Sequence, residues 1–237
     1  MRVKTTKKGG YLILFIILAI MILSAQLASN TADAIFVHKQ AQAATCVIID
    51  AGHGGVDGGA VSCTGMYESQ INLQIAQRLN DLMQLLGYET KMIRTEDISV
   101  YTSGKTIAEK KISDLKERVR VINNTENAIL ISIHQNYFQD NRYSGAQVFY
   151  AKNSQKFAET IQTKFRQAIN LNSNRKIKKA DGIYLMEKIN CDAVLIECGF
   201  LSNKAEEFNL RSPEYQKKIA CVIASATSQY LNNKAVA

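Results

Sequence analysis

From Cys46 onward the chain alternates two hydrophobic patterns. Short continuous apolar runs read as buried strands, and longer stretches with apolar residues every three or four positions read as amphipathic helices. Strands are expected at Cys46–Asp50, Glu89–Arg94, Ala128–Ile133, Gly145–Tyr150, Gly182–Met186 and Ala193–Glu197. Helices are expected at Glu68–Leu86, Asp114–Asn123, Ser154–Ile169 and Pro213–Leu231, the first stopped by Gly87. Residues 97–113 carry the weakest pattern and read as an exposed loop or small insertion. Continuous apolar strands between helices require a sheet covered on both faces. The fold class is therefore α/β: a single three-layer domain, with a mostly parallel twisted sheet and helices on both sides.

The N-terminus follows a different rule. Arg2, Lys4, Lys7 and Lys8 precede an apolar run from Tyr11 to Leu23, and no charge occurs between Lys8 and Asp33. A basic flank before an apolar stretch directs export, with the positive end left in the cytoplasm. Residues 1–34 are read as an export signal or a membrane anchor. Ala32-Asp33-Ala34 and Ala41-Gln42-Ala43 both offer the small-x-small pattern of a cleavage site. Residues 35–45 are read as a linker, 46–233 as the catalytic domain and 234–237 as a tail.

Composition then narrows the class. One proline and no tryptophan exclude collagen-like and Pro-rich chains. The 29 basic and 21 acidic residues give +8, a balance suited to anionic surroundings. Leaving out residues 1–34 reduces this to +5, so part of the charge is a targeting signal. The five cysteines, Cys46, Cys63, Cys191, Cys198 and Cys221, form no CxxC pair. A disulfide framework is not expected in a domain this long. Cys46, Cys198 and Cys221 lie in apolar runs and read as core.

Four polar residues stand where a core would not place them. His53 follows the first strand inside Gly52-His53-Gly54-Gly55-Val56-Asp57-Gly58-Gly59, and a Gly-rich turn after a strand is where open α/β sheets build ligand sites. Glu68 opens the next helix, where it suits the dipole, yet it shares a face with Ile71 and Ile75. His134 directly follows one strand, and Glu197 closes another. If these strands are parallel, all four converge on one sheet edge. Two histidines, a carboxylate and an open position make a catalytic zinc site, and a further carboxylate serves as general base. The His-Glu-x-x-His signature is absent, so the ligands must come from separate elements.

The segments IIDAGHGGVDGGA, ESQINLQIAQRL, SIHQN and AVLIECGFLSN resemble, in order, the zinc-dependent N-acetylmuramoyl-L-alanine amidases. The resemblance covers about Cys46 to Leu231. It implies one zinc ion held by His53, Glu68 and His134, with Glu197 as catalytic carboxylate. Asn136, Tyr137 and Arg94 are candidate substrate contacts, and Arg94 and the Leu115/Arg118/Asn123 spacing fit the family pattern. Tyr137 replaces a usual small residue, and Asn190-Cys191-Asp192 stands where the family usually has a proline near Ala193. Size, N-terminal segment, the Asp114–Asn123 helix and Tyr143-Ser144-Gly145-Ala146-Gln147 most resemble the spore-germination branch, which acts on cortex peptidoglycan and helps to create muramic-δ-lactam.

The expected partners are peptidoglycan, from the resemblance, and a membrane, through the N-terminal segment; ligands drawn from three separate elements also leave room for an accessory protein that tightens the site. Two other readings compete: a cysteine-dependent amidase or peptidase using Cys63 with His53 or His134, and a peptidoglycan-binding module without activity. An exported chain lacking any nucleic-acid motif argues against nucleic acid as a partner.

Overall fold

The computed structural model describes residues 45–236, together with 16, 17, 19–24 and 26. The chain divides into two compact units, Met1–Ala41 and Gln42–Ala237. The described residues of the first unit are helical and exposed. Both small-x-small sites, and the linker as far as residue 44, lie outside the described residues. Among the described residues no helix is long and apolar enough to cross a membrane.

The second unit is built on six strands: β1 (Cys46–Ala51), β2 (Glu89–Met92), β3 (Ala128–Asn136), β4 (Gln147–Tyr150), β5 (Lys178–Lys179) and β6 (Asp192–Phe200). They form one sheet in the order β2-β1-β3-β6-β4-β5. The four strands β2, β1, β3 and β6 are mutually parallel, and β4 runs antiparallel to β6. The helices are α1 (Glu68–Leu85), α2 (Ile107–Asn123), α3 (Gln155–Ala168), α4 (Tyr184–Lys188), α5 (Lys204–Leu210) and α6 (Pro213–Val236).

Strand side chains alternate between two buried faces, which is why the runs read as continuously apolar. Val47, Ile49, Ile129 and Ile131 pack with Ile71, Ile75 and Leu79 of α1, Phe157 and Ile161 of α3, and Ile219 and Ile223 of α6. On the other side Ile48, Leu130 and Leu195 pack with Ile122 of α2 and Leu185 and Met186 of α4. These are the three layers that the pattern required.

Several boundaries differ from expectation. Helix α2 begins at Ile107 rather than Asp114, because Thr106 and Glu109 form a reciprocal capping box that starts it seven residues earlier. The expected strand at Gly182–Met186 is instead the start of α4, and the short strand lies upstream at Lys178–Lys179. Helix α5, capped by the Asn203 side chain, had no counterpart in the periodicity. Strands β3 and β6 run past His134 and Glu197 to Asn136 and Phe200, because their mutual pairing continues. Of the expected tail, residues 234–236 belong to α6, where Lys234 Nζ lies 2.5 Å from Asp192 Oδ2. Cys221 is exposed on α6 rather than in the core, and all five cysteines are free.

Under the C-terminal edge of the sheet lies a buried ionic layer. Arg118 of α2 is fully buried and contacts Asp50 of β1 through Nη1, while its Nε donates to Asp114 Oδ2 at 2.6 Å. Asp50 also accepts from Ser132 Oγ at 2.7 Å, its register partner on β3. Burial works against both charges. Arg118 and Ser132 outweigh it for Asp50, whose pKa falls below the usual carboxylate value, and Asp50 and Asp114 outweigh it for Arg118, whose pKa rises. Removing one partner of a buried pair strands the other. Arg118→Met is expected to cost about 3–5 kcal/mol in urea unfolding at neutral pH. The paired Asp50 contributes stability above its unfolded pKa near 3.8 and loses it as pH falls below that value. The deficit of the variant should therefore narrow on acidification, and a pH-independent deficit would refute the ionic origin.

Candidate active site

Each of the four singled-out residues is placed by a different element. His53 sits in the turn after β1 with φ 61°, a left-handed conformation that is costly for a residue with a side chain. Arg118 Nη2 donates to its carbonyl at 2.8 Å and clamps the turn. His53 Nδ1 lies 3.0 Å from Asp57 Oδ2, and Asp57 is in turn 3.1 Å from Lys111 Nζ. A carboxylate on Nδ1 fixes the tautomer and turns Nε2 toward the cleft.

Glu68 is the first residue of α1 and is almost fully buried. Its Oε1 accepts from the Gln135 backbone N–H at 3.1 Å and from Asn72 Nδ2 at 3.2 Å. Its Oε2 accepts from the Ala60 backbone N–H at 3.0 Å. His134 Nδ1 lies 3.1 Å from Oε1 and His53 Nε2 lies 3.3 Å from Oε2. Candidate donor atoms of His53, Glu68 and His134 all fall within 4.8 Å of one another. The two readings of Glu68 are thus compatible: it opens the helix and also faces both histidines.

Burial disfavours charge on His53, but Asp57 and Glu68 outweigh it and lift its pKa to about 9. The His53 hydrogen bond is the largest influence on Asp57 and holds it well below the usual carboxylate range. Burial alone would raise Glu68, yet the two histidines hold it far below that range.

Glu197 differs. It stands in register with His134 across the parallel β3–β6 pair, so both side chains project from the same face. Its Oε2 is buried and has no hydrogen-bond partner. Burial, reinforced by Glu68, pushes its pKa up to about 7 against the opposing histidines. The set therefore separates into one carboxylate held ionised among donors and one held near neutral pH, the division of labour used in acid–base catalysis.

Two glycines make room for this packing. A Cβ on Gly52 would come within 2.2 Å of the His134 ring, and one on Gly59 within 2.6 Å of Glu68 Oε2. Asn136 ends β3 and Tyr137 emerges beyond it, about half exposed. Arg94, expected among the substrate contacts, is buried instead. Its guanidinium donates to the carbonyls of Ala51, Gly52, Ser69 and Glu96, so it ties β1 to α1 beneath the site.

Cys63 is exposed in the loop whose Ser62 Oγ donates to Glu207 Oε1 at 3.0 Å. The described polar contacts of both histidine rings run to carboxylates, and the two rings meet edge to face at 5.0 Å. Asp57 and Arg118 were the working residues that sequence reading left without a role. The four-residue spacing from His53 to Asp57 was the available signal.

Gly52→Ala is expected to push the His134 ring out of place at an overpacking cost of about 1–3 kcal/mol. Shifted His134 imidazole resonances together with a lowered unfolding midpoint would bear this out, and unchanged resonances would refute it.

The comparisons with known proteins bear on this geometry. The Amidase_3 family model, described as N-acetylmuramoyl-L-alanine amidase, matches residues 47–229. The germination-specific N-acetylmuramoyl-L-alanine amidase of Bacillus subtilis (strain 168) is 39% identical over 193 residues, covering 79% of this chain and 80% of the relative. The CwlD amidase from Clostridioides difficile, solved in complex with the GerS lipoprotein, is 38% identical with a TM-score of 0.76, covering 78% of this chain and 98% of that one. An N-acetylmuramoyl-L-alanine amidase from Clostridium difficile 630 is 32% identical with a TM-score of 0.70, covering 81% and 99%. A family match across most of the folded unit, with the His-Glu-His cluster and Glu197 at its centre, places this chain in the N-acetylmuramoyl-L-alanine amidase family.

Proposed function

We propose that this amidase cleaves the amide between N-acetylmuramic acid and L-alanine in spore-cortex peptidoglycan, using one zinc ion held by His53, Glu68 and His134. The observation that carries the reading is the unpartnered, buried Oε2 of Glu197, in register with His134 beside the His-Glu-His cluster. Two imidazoles and one carboxylate match the donor set of catalytic zinc sites that keep an open position. Zinc in such a site supplies Lewis acidity toward water and carbonyl oxygen.

The chain's own residues do the rest. Glu197, poised near neutral pH, takes a proton from the attacking water and returns it to the alanine nitrogen as the amide breaks. Asp57, 3.0 Å from His53 Nδ1, would keep the proton on that nitrogen and leave Nε2 as the atom to hold zinc. Backbone N–H groups of Ala60 and Gln135 hold the Glu68 carboxylate in one orientation. The products are a peptide-free muramic residue and a free stem peptide. The muramic residue is the precursor of muramic-δ-lactam once another enzyme removes its acetyl group.

The cortex as substrate is supported by the germination-specific relative. Export, with residues 1–34 acting as signal or anchor, follows from the basic-then-apolar pattern and suits action on a wall polymer. An accessory protein is supported by the relative solved with a lipoprotein.

Purified protein is expected to release stem peptides from cortex sacculi, with mass spectrometry locating the cut at the muramoyl–alanine bond. Cleavage elsewhere would refute the proposal. Glu197→Gln should retain zinc and lose about 10²-fold or more in turnover, the general-base scale. His53→Ala and His134→Ala should lose zinc, as metal analysis of the purified variants would show. Asp57→Ala should weaken zinc binding about 10–100-fold in competition with a chelator, the usual effect of removing a carboxylate behind a ligating histidine.

A further inference from the structure

The sheet row that carries the catalytic residues does not end at Glu197. Gln147 of β4 is the register partner of Glu197 on its other side, so its side chain projects from the same face as His134 and Glu197. Gln147 Oε1 accepts from Arg175 Nη1 at 3.1 Å, and Arg175 Nε donates to the Ser144 carbonyl at 2.7 Å. The Arg175 guanidinium lies 4.5 Å from the Phe200 ring centroid and 5.9 Å from that of Tyr143.

Aromatic rings continue outward from there. Tyr143 stacks at 28° on Phe200 and meets Phe138 edge to face at 4.9 Å. Phe138 and Tyr143 are 52% and 47% exposed. Tyr137, also about half exposed, adjoins Phe138 at the end of β3. The ledge is tied to the catalytic strands, because Leu201 N–H donates to the Asn136 carbonyl at 2.8 Å and Phe138 N–H to Ser202 Oγ at 3.2 Å.

Beside the ledge opens a groove of about 750 Å3, lined by Tyr143, Gln147, Arg175 and the amides of Asn170, Asn172 and Asn174 among others. That volume lies within the range of about 300–1,000 Å3 typical of ligand sites. Half-exposed rings next to amides and a guanidinium suit a ligand with apolar C–H faces and a polar hydroxyl equator.

We propose that this ledge and groove are a glycan subsite, in which the amino-sugar strand of the substrate stacks on Tyr143 and Phe138 and hydrogen-bonds to Arg175 and the neighbouring amides, while the buried Gln147, whose Oε1 accepts from Arg175 and whose Nε2 donates to the Lys176 carbonyl, holds the guanidinium in place. The subsite sets the strand so that one lactyl amide meets Glu197. It rests on the amidase reading, but concerns the sugar chain and not the bond cleaved.

The test is binding of peptide-free glycan strands to the full-length protein, measured by calorimetry without turnover. An aromatic contact is worth about 0.5–1.5 kcal/mol, so Phe138→Ala and Tyr143→Ala should each weaken binding about 2–10-fold. The double variant should lose more than tenfold, Tyr143→Phe should bind like wild type, and affinity for free stem peptide should not change. In wild type, glycan should perturb backbone NMR signals of residues 137–147 and 170–175, a readout that requires no variant to fold. Unchanged glycan affinity in the double variant would overturn the proposal. So would NMR shifts elsewhere, or a loss confined to stem peptide or to a protein partner. Failure of wild type to cut a soluble muramoyl–alanyl dipeptide would overturn the amidase reading instead, leaving the glycan result to be judged separately.

Discussion

The parallel pairing of β3 with β6 is the constraint on which the active site depends. It sets His134 and Glu197 at the same height in adjacent strands. A slip of one residue would turn one of the two to the opposite face. The register is held by the buried partners that precede them, apolar in Leu130 with Ala193, Ile131 with Val194 and Ile133 with Ile196, with Ser132 beside Leu195 bonded to Asp50. Core burial therefore decides the distance between a candidate metal ligand and a candidate base.

A second constraint is electrostatic. The turn after β1 must hold His53 in a left-handed conformation, and buried cations underlie it. Arg118 grips the His53 carbonyl while pairing with Asp50, and Arg94 ties down the carbonyls of Ala51 and Gly52. Such buried charges are stable only when fully paired and hydrogen-bonded. Their partners here are the backbone atoms whose positions fix the site. The strain in the turn and the ionic layer below it are parts of one arrangement.

The carboxylates show how environment separates chemically similar groups. Glu68, Asp57 and Glu197 share a functional group and a small region of space. Glu68 and Asp57 are surrounded by donors and remain ionised, whereas Glu197 has a buried oxygen without a donor and rises toward neutrality. The candidate ligand, orienting group and base are thus distinguished by their hydrogen-bond partners and burial, not by residue type.

Much of this was legible in the sequence. Continuous apolar runs between amphipathic segments established a covered α/β sheet, and sparse histidines next to those runs marked the site. The early start of α2 was also legible in the Thr106–Glu109 capping box, but hydrophobic periodicity alone passed over it. The sequence could not distinguish a short strand from the helix at Tyr184–Lys188, because brief apolar segments lack a decisive period. It also could not show that Arg94 is buried and serves four carbonyls, since an arginine's role depends on what the fold brings around it. The chain by itself determined its layers, the burial of its strands on both faces and the identity of the four central residues. Tertiary structure decided the register of His134 with Glu197, the pairing of His53 with Asp57 and the continuation of the row through Gln147 to Arg175. Those relations join residues far apart in the chain, and only packing in three dimensions sets the distances between them.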